Sequence, residues 1–302
     1  MSNIISLPLI FIILAGVSFA FLGLSYKMAS VRQCRPMAFS GIFLLIASVV
    51  SGICAVFEPV SWGDSRLWVL GISMGIILYI TLALVVKVNL LGPASVTWVM
   101  MNLSIIIPIF LAPLLLQESL LAVDGILLVL FIFMLIALRR GIMDGADNIK
   151  GSSLQFWLLL SAMFILNGAF QFCSKLKNSL FQDSNNAGLA FIFYSGGMLM
   201  AIATHLIQTR GLRFTRHEIG IGSFAGISSG VANLLVLSGM SLPAIVVFPV
   251  TQGIALVGGV LLTVLIYKEK FNSFKMTGFL LSIIVLMLAI FREQIMQLIS
   301  RF

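Results

Sequence analysis

Long apolar runs, broken at near-regular intervals by short clusters of charged, glycine and proline residues, set the pattern of this chain. An α-helix rises about 1.5 Å per residue and needs roughly 20 apolar residues to cross a hydrocarbon core about 30 Å thick. Each run has the length of one crossing. Ten spans are predicted, at about residues 7–26, 37–57, 67–87, 93–116 and 121–138, then 154–173, 187–207, 218–238, 243–266 and 274–291. The stretch RRGIMDGADNIKGSS, residues 139–153, has the composition of a polar linker and falls between the fifth and sixth runs. The chain thus divides into a first unit at 1–140, a linker at 141–153 and a second unit at 154–302.

The two units share landmarks. Pro93 and Pro243 lie 150 residues apart, as do Arg66 and Arg216, while Glu118 and Glu269 lie 151 apart and Lys27 and Lys175 lie 148 apart. Residues 93–118 and 243–269 both open on Pro-Ala, close on a glutamate and carry a proline and polar side chains in between. An odd number of spans per unit makes the second enter the membrane from the side opposite to the first. The fold class expected is therefore all-α: a polytopic membrane protein of ten transmembrane helices arranged as two inverted five-helix repeats.

Composition excludes a soluble reading. Of 302 residues, 60% are hydrophobic and only 9% charged, and the mean hydropathy is +1.15. The formal charge of +8 comes from basic residues in short clusters between apolar runs, so it reflects topology and gives no reason to expect nucleic acid. Cys34, Cys54 and Cys173 have neither paired spacing nor an even count, and His205 and His217 have no partners at metal-ligand spacing, so no disulfide framework, metal or cofactor is expected. No basic segment precedes the first apolar run, which is expected to remain as a permanent helix. No phosphate-binding loop, nucleophile elbow or catalytic constellation is present, so no enzyme activity is expected.

The ten acidic residues fall between spans or within a turn or two of a span's end, so none is predicted at mid-membrane. Intramembrane acids usually mark proton relays or cation sites. Their absence leaves a near-neutral path suited to a neutral or zwitterionic solute. The candidate solute-binding residues are Asn102 and Ser104, with Trp98, in the fourth span, Tyr79 in the third, Asn167 and Gln171 in the sixth, Asn233 in the eighth, and Thr251 and Gln252 in the ninth. In hydrocarbon each polar group needs a partner and is expected to face the bundle interior. Any one of them also suits a plain role in tying helices together, but their clustering in repeat-related spans points to a solute site. Pro108 and Pro249, inside spans, are candidate kinks or gates. Glu118 and Glu269 read as helix-end acids at opposite faces, hydrated or paired with a nearby base such as Lys268 or Lys270, and Lys27 and Lys175 read as snorkelling residues.

The paired units Pro93-Ala94, Pro108, Gln117-Glu118-Ser119 and Pro243-Ala244, Pro249, Lys268-Glu269-Lys270, each followed by an apolar helix ending in basic residues, resemble the drug/metabolite transporter superfamily, in particular its ten-helix EamA-type permeases. The resemblance covers nearly the whole chain. It implies a secondary transporter, by family habit an exporter, of a small metabolite or xenobiotic, working by alternating access in a bacterial plasma (inner) membrane. The partners expected are a small-molecule substrate, the lipid bilayer and a coupling ion, and a chain holding both halves can work as a monomer. A membrane-embedded lipid flippase or lipid-modifying protein, and a non-transporting partner subunit, are the alternatives. Orientation stands open: thirteen Lys and Arg on one side against five on the side of the termini place the termini outside, whereas the resemblance implies termini inside.

Overall fold

The computed structural model describes residues 6–91, 94–118, 121–143, 153–181, 184–209, 214–268, 273–291 and 295–296, so most of the expected linker at 141–153 and Glu269 lie outside the described residues. Among these the regular structure is all helical. The helices are α1 (Leu7–Val31), α2 (Pro36–Phe57), α3 (Ser65–Leu91), α4 (Ala94–Leu103), α5 (Ile106–Leu116), α6 (Ala122–Met143), α7 (Ser153–Phe181), α8 (Asn186–Thr209), α9 (Arg216–Ser238), α10 (Ala244–Tyr267) and α11 (Ser273–Ile290). Seven of them, α1, α2, α3 over Ser65–Val85, α7 over Leu154–Phe181, α8 over Asn186–Gln208, α9 and α10, are long and apolar enough to cross a membrane. Three shorter apolar stretches, Met100–Leu116, Val123–Ala137 and Met276–Ala289, accompany them.

Local chemistry sets the helix starts. Proline in the first turn of α1 and of α2 supplies a fixed φ where its missing N–H costs nothing. α9 opens on a capping box in which Thr215 accepts from the Glu218 amide and Glu218 accepts from the Thr215 amide. Glu218 also takes the Arg35 guanidinium at 2.8 Å and the Arg35 amide at 3.0 Å, which pins the start of α2 to the start of α9.

Helices lipid can wet on both faces associate by close packing, and small residues set where they touch. α2 lies against α8 and α9, α3 against α7 and α8, α1 against α9 and α10, α7 against α5, and α6 against α11. On α9 a Cβ at Gly222 would stand 2.9 Å from Ile42 Cγ2, and one at Gly226 would stand 2.6 Å from the Phe43 carbonyl, so only glycine admits α2 this closely. On α3, Gly71 meets Ile192 Cγ2 at 2.6 Å and Gly75 meets the Phe193 carbonyl at 2.8 Å in the same way. Gly16 of α1 faces Ile254 Cβ and the Thr251 carbonyl, and Gly168 of α7 faces Ile107 Cβ and the Ser104 carbonyl.

Two expectations need correction. The fourth span is not one helix with a kink at Pro108, but α4 and α5 separated at Ser104 and Ile105. Pro108 has no N–H for the Ser104 carbonyl four residues earlier, and its ring crowds that carbonyl, so the ladder stops there. The Ser104 carbonyl accepts from the Ile107 amide at 3.0 Å instead, and Pro108 sits in the first turn of α5, where a missing donor is harmless. Pro249, by contrast, lies inside an unbroken α10. The sixth span runs on to Phe181, beyond the expected end near 173, because Lys175 and Lys177 have buried polar partners and need no exit to water.

Candidate functional site

A cavity with about 1040 Å³ of atom-free space, including its mouth, lies among α1, α2, α3, α4, α7, α9 and α10. Its polar wall includes Asn102, Asn167, Gln171, Asn233, Thr251 and Gln252, all picked out from the sequence. Rings come from Phe19, Tyr26, Phe43, Phe170 and Phe248, which the polar pattern did not reveal, although Phe170 is three residues from Asn167 and so shares its helix face. No charged side chain lines the cavity among the described residues.

The other expected residues stand elsewhere. Ser104 is fully buried behind the wall and holds two of its members. Tyr79 is off the wall and bonds Thr204 of α8, so it joins α3 to α8. The Trp98 side chain lies outside the described residues.

The break after α4 organises the wall. Interruption leaves the Met101 carbonyl without its usual partner, the Ile105 amide, which turns to Asn102 at 3.4 Å. Asn167 Nδ2 from α7 donates to the Met101 carbonyl at 2.9 Å and to Ser104 Oγ at 2.6 Å, and Ser104 Oγ donates to the same carbonyl at 2.5 Å. Gln171, one turn further along α7, donates from Nε2 to Ser104 Oγ at 3.1 Å. Gly168 between them allows the approach, since any Cβ there would strike Ile107 and the Ser104 carbonyl. Across the cavity, Asn233 Nδ2 donates to Tyr194 Oη at 2.7 Å and to the Ser229 carbonyl at 3.1 Å.

At one end of the cavity, whose wall there includes Ser174 and Met240, lies an ion pair that sequence reasoning assigned differently. Lys175 does not snorkel: it is 4% exposed, and its ammonium reaches Glu118 Oε1 at 2.5 Å, the Met240 carbonyl at 2.8 Å and the Leu242 carbonyl at 2.5 Å. Glu118 is therefore not a hydrated end marker paired with Lys268 or Lys270. Its Oε2 accepts from the Ala244 amide at 2.8 Å, so one carboxylate joins the end of α5 to α7 and to the first residue of α10. Lys27, the sequence counterpart of Lys175, stands with its ammonium 5.9 Å from the centre of the Tyr267 ring near the end of α10.

Among the described residues no group of three His, Cys, Asp or Glu side chains could hold a metal ion. The chain matches no family model and no curated protein. Among the solved chains that match in structure, a protein crystal structure superposes with a TM-score of 0.74 at 15% identity, over 93% of this chain and 95% of the other. At that identity the likeness is one of fold.

Proposed function

We propose that this chain is a secondary membrane transporter that carries a small organic solute, neutral or zwitterionic, through the central cavity by alternating access. In this reading it is an exporter of the ten-helix drug/metabolite transporter type, built from two inverted five-helix halves and set in a bacterial plasma membrane. The seven helices long and apolar enough to cross a membrane support this reading, in which the three shorter apolar stretches would make the remaining crossings.

One observation carries the reading: the packing around the cavity occurs twice, about 150 residues apart. Gly222 on Ile42 is matched by Gly71 on Ile192, and Gly226 on the Phe43 carbonyl by Gly75 on the Phe193 carbonyl. Gly16 on Ile254 is matched by Gly168 on Ile107. α5 and α10 both close on non-glycine residues in the left-handed conformation, Gln117 at φ 56° and Lys268 at φ 52°. In each pair of contacts one residue comes from each half, which supports two similar halves that rock against one another in the proposed cycle.

Purified protein in liposomes, tested with amino acids, sugars, nucleosides and amines with and without a pH gradient, should accumulate or release at least one class faster than protein-free vesicles. Asn102→Ala and Gln252→Ala should slow that flux while the protein stays folded. Exchange of lipid headgroups with no solute movement would replace the carrier with a lipid-handling protein.

A further inference from the structure

The amides that α7 and α9 bring to the cavity are one-sided in their hydrogen bonding. An asparagine or glutamine carboxamide carries two N–H donors at one end and an acceptor oxygen at the other, and which end faces outward is fixed when the inner partner can only accept. Asn167 bonds the Met101 carbonyl, so its NH2 must point inward. Asn233 bonds the Ser229 carbonyl, with the same consequence. Ser104 spends its hydroxyl proton on the Met101 carbonyl, so it can only accept from Gln171, whose NH2 is thereby turned inward as well.

Among the described residues the oxygens of all three amides thus keep no protein partner. Gln171 Oε1 is buried and turned away from open space, which is costly unless a small rotation of the side chain brings it to a donor from a ligand or water. The hydroxyls follow suit: Thr81 donates to the Ile77 carbonyl at 2.7 Å and Ser174 to the Phe170 carbonyl at 3.1 Å, leaving lone pairs outward. Asn167, Gln171 and Ser174 follow one another at helical spacing, so α7 presents a ladder of acceptors. Lys175, the nearest cation in sequence to this ladder, has its three N–H groups directed to three acceptors of its own.

We infer that the solute carried by this cavity bears a primary ammonium group on an apolar or aromatic body, the N–H donors seated on the acceptor ladder of α7 around Gln171 and the body among the phenylalanine rings. The inference rests on the carrier reading and changes its solute in one respect, since an amine without a carboxylate is a cation and neither neutral nor zwitterionic. The rings of Phe19, Phe170 and Phe248 line the cavity and suit a flat apolar body, and a ring face turned to a cation attracts it. A carboxylate or phosphate finds less on this ladder: the amide N–H groups of Asn167 and Asn233 and one of the two on Gln171 are engaged by the protein, which leaves Gln252 as the main amide donor of the opposite wall. A zwitterion is held through its ammonium end only.

The test is binding of three matched probes to the full-length protein in nanodiscs, followed by flux in liposomes. 2-Phenylethylammonium should bind and be carried, its N,N,N-trimethyl analogue, with the same charge but no N–H, should bind at least about tenfold more weakly, and 3-phenylpropionate should not compete. Gln171→Leu should weaken 2-phenylethylammonium at least about tenfold and leave the trimethyl analogue unchanged. Because Gln171 also holds Ser104, Gln252→Leu serves as a second variant: Gln252 lines the cavity and keeps no bond among the described residues, so its loss should weaken the amine severalfold without unfolding. Equal binding of the ammonium and trimethyl probes, tighter binding of the propionate, or no binding of the amine overturns the inference. Flux of carboxylates alone would sink it while sparing the carrier, whereas tight amine binding with no flux of any solute would sink the carrier and spare the site.

Discussion

Glu118 Oε1 lies 2.5 Å from Lys175 Nζ, at the junction of α5, α7 and the turn into α10. Both charges are withdrawn from water, Lys175 almost completely, and every N–H of the ammonium has an acceptor. A buried pair of this kind can contribute little net stability against a well-packed apolar replacement, yet removing one member strands the other. Its position, at one end of the cavity and across three helices, makes it under the carrier reading a fastener between parts that alternating access would separate.

Lys175→Met and Glu118→Gln should therefore each lower the thermal midpoint in detergent, by the equivalent of about 3–5 kcal/mol for the first. The double variant should recover much of that loss. Equal, additive losses would show that the two residues act independently. Under the carrier reading, a cysteine at Ser174 should also react faster with an impermeant maleimide from the Glu118 face in Glu118→Gln than in the otherwise native protein.

Pro108→Ala restores a donor for the Ser104 carbonyl and removes the ring that crowds it. α4 and α5 should then join, the Ile105 amide should reclaim the Met101 carbonyl, and Asn167 should lose the partner that orients it. The expected outcome is a thermal midpoint equal to or above that of the native chain and, under the carrier reading, a severalfold drop in solute flux. Unchanged flux would mean that the break is not part of the path.

The long apolar helices and the amides within them could be read from the sequence because each rests on local pattern: run length and residue type. Asn102, Asn167, Gln171, Asn233, Thr251 and Gln252 meet at one cavity because polar groups in hydrocarbon have few other places to go. The Lys175–Glu118 pair was hidden, since its members lie far apart in the chain and a lysine near a span's end ordinarily reaches for water. The outward-facing oxygens were hidden too. Which end of an amide faces a cavity depends on the carbonyl behind it, and that carbonyl is exposed by a helix break whose sharpness no pattern of residue types specifies.

Outside the membrane spans, Asp64 accepts two guanidinium bonds and the backbone amide of Arg66, and these hold its carboxyl below the usual aspartate range. A depressed folded value means that the stabilisation is fully present above the unfolded value, about 3.9, and is lost as pH falls through the folded one. The pair is largely exposed, so the effect is small. The difference in thermal midpoint between the native chain and Asp64→Asn should be constant from pH 8 to about 5 and close below about 3.9. A difference that persists to pH 2 would assign the effect to the turn and not to the charge.

The duplicated glycine contacts give a prediction with its own controls. A methyl at Gly226 would fall 2.6 Å from the Phe43 carbonyl and one at Gly75 2.8 Å from the Phe193 carbonyl, so in each case one helix must move off the other. Alanine at either position should cost about 1–3 kcal/mol, and the two costs should be similar because the contacts are alike. At Gly220 and Gly125 a methyl would meet no atom within 4 Å, so alanine there should be neutral or stabilising by up to about 1 kcal/mol through helix propensity. Thermal unfolding of the four single variants in one detergent decides the matter. If Gly220→Ala destabilised as much as Gly226→Ala, close approach of α9 to α2 would not be what the glycine provides, and the pairing of the two surfaces around the cavity would lose its main physical support.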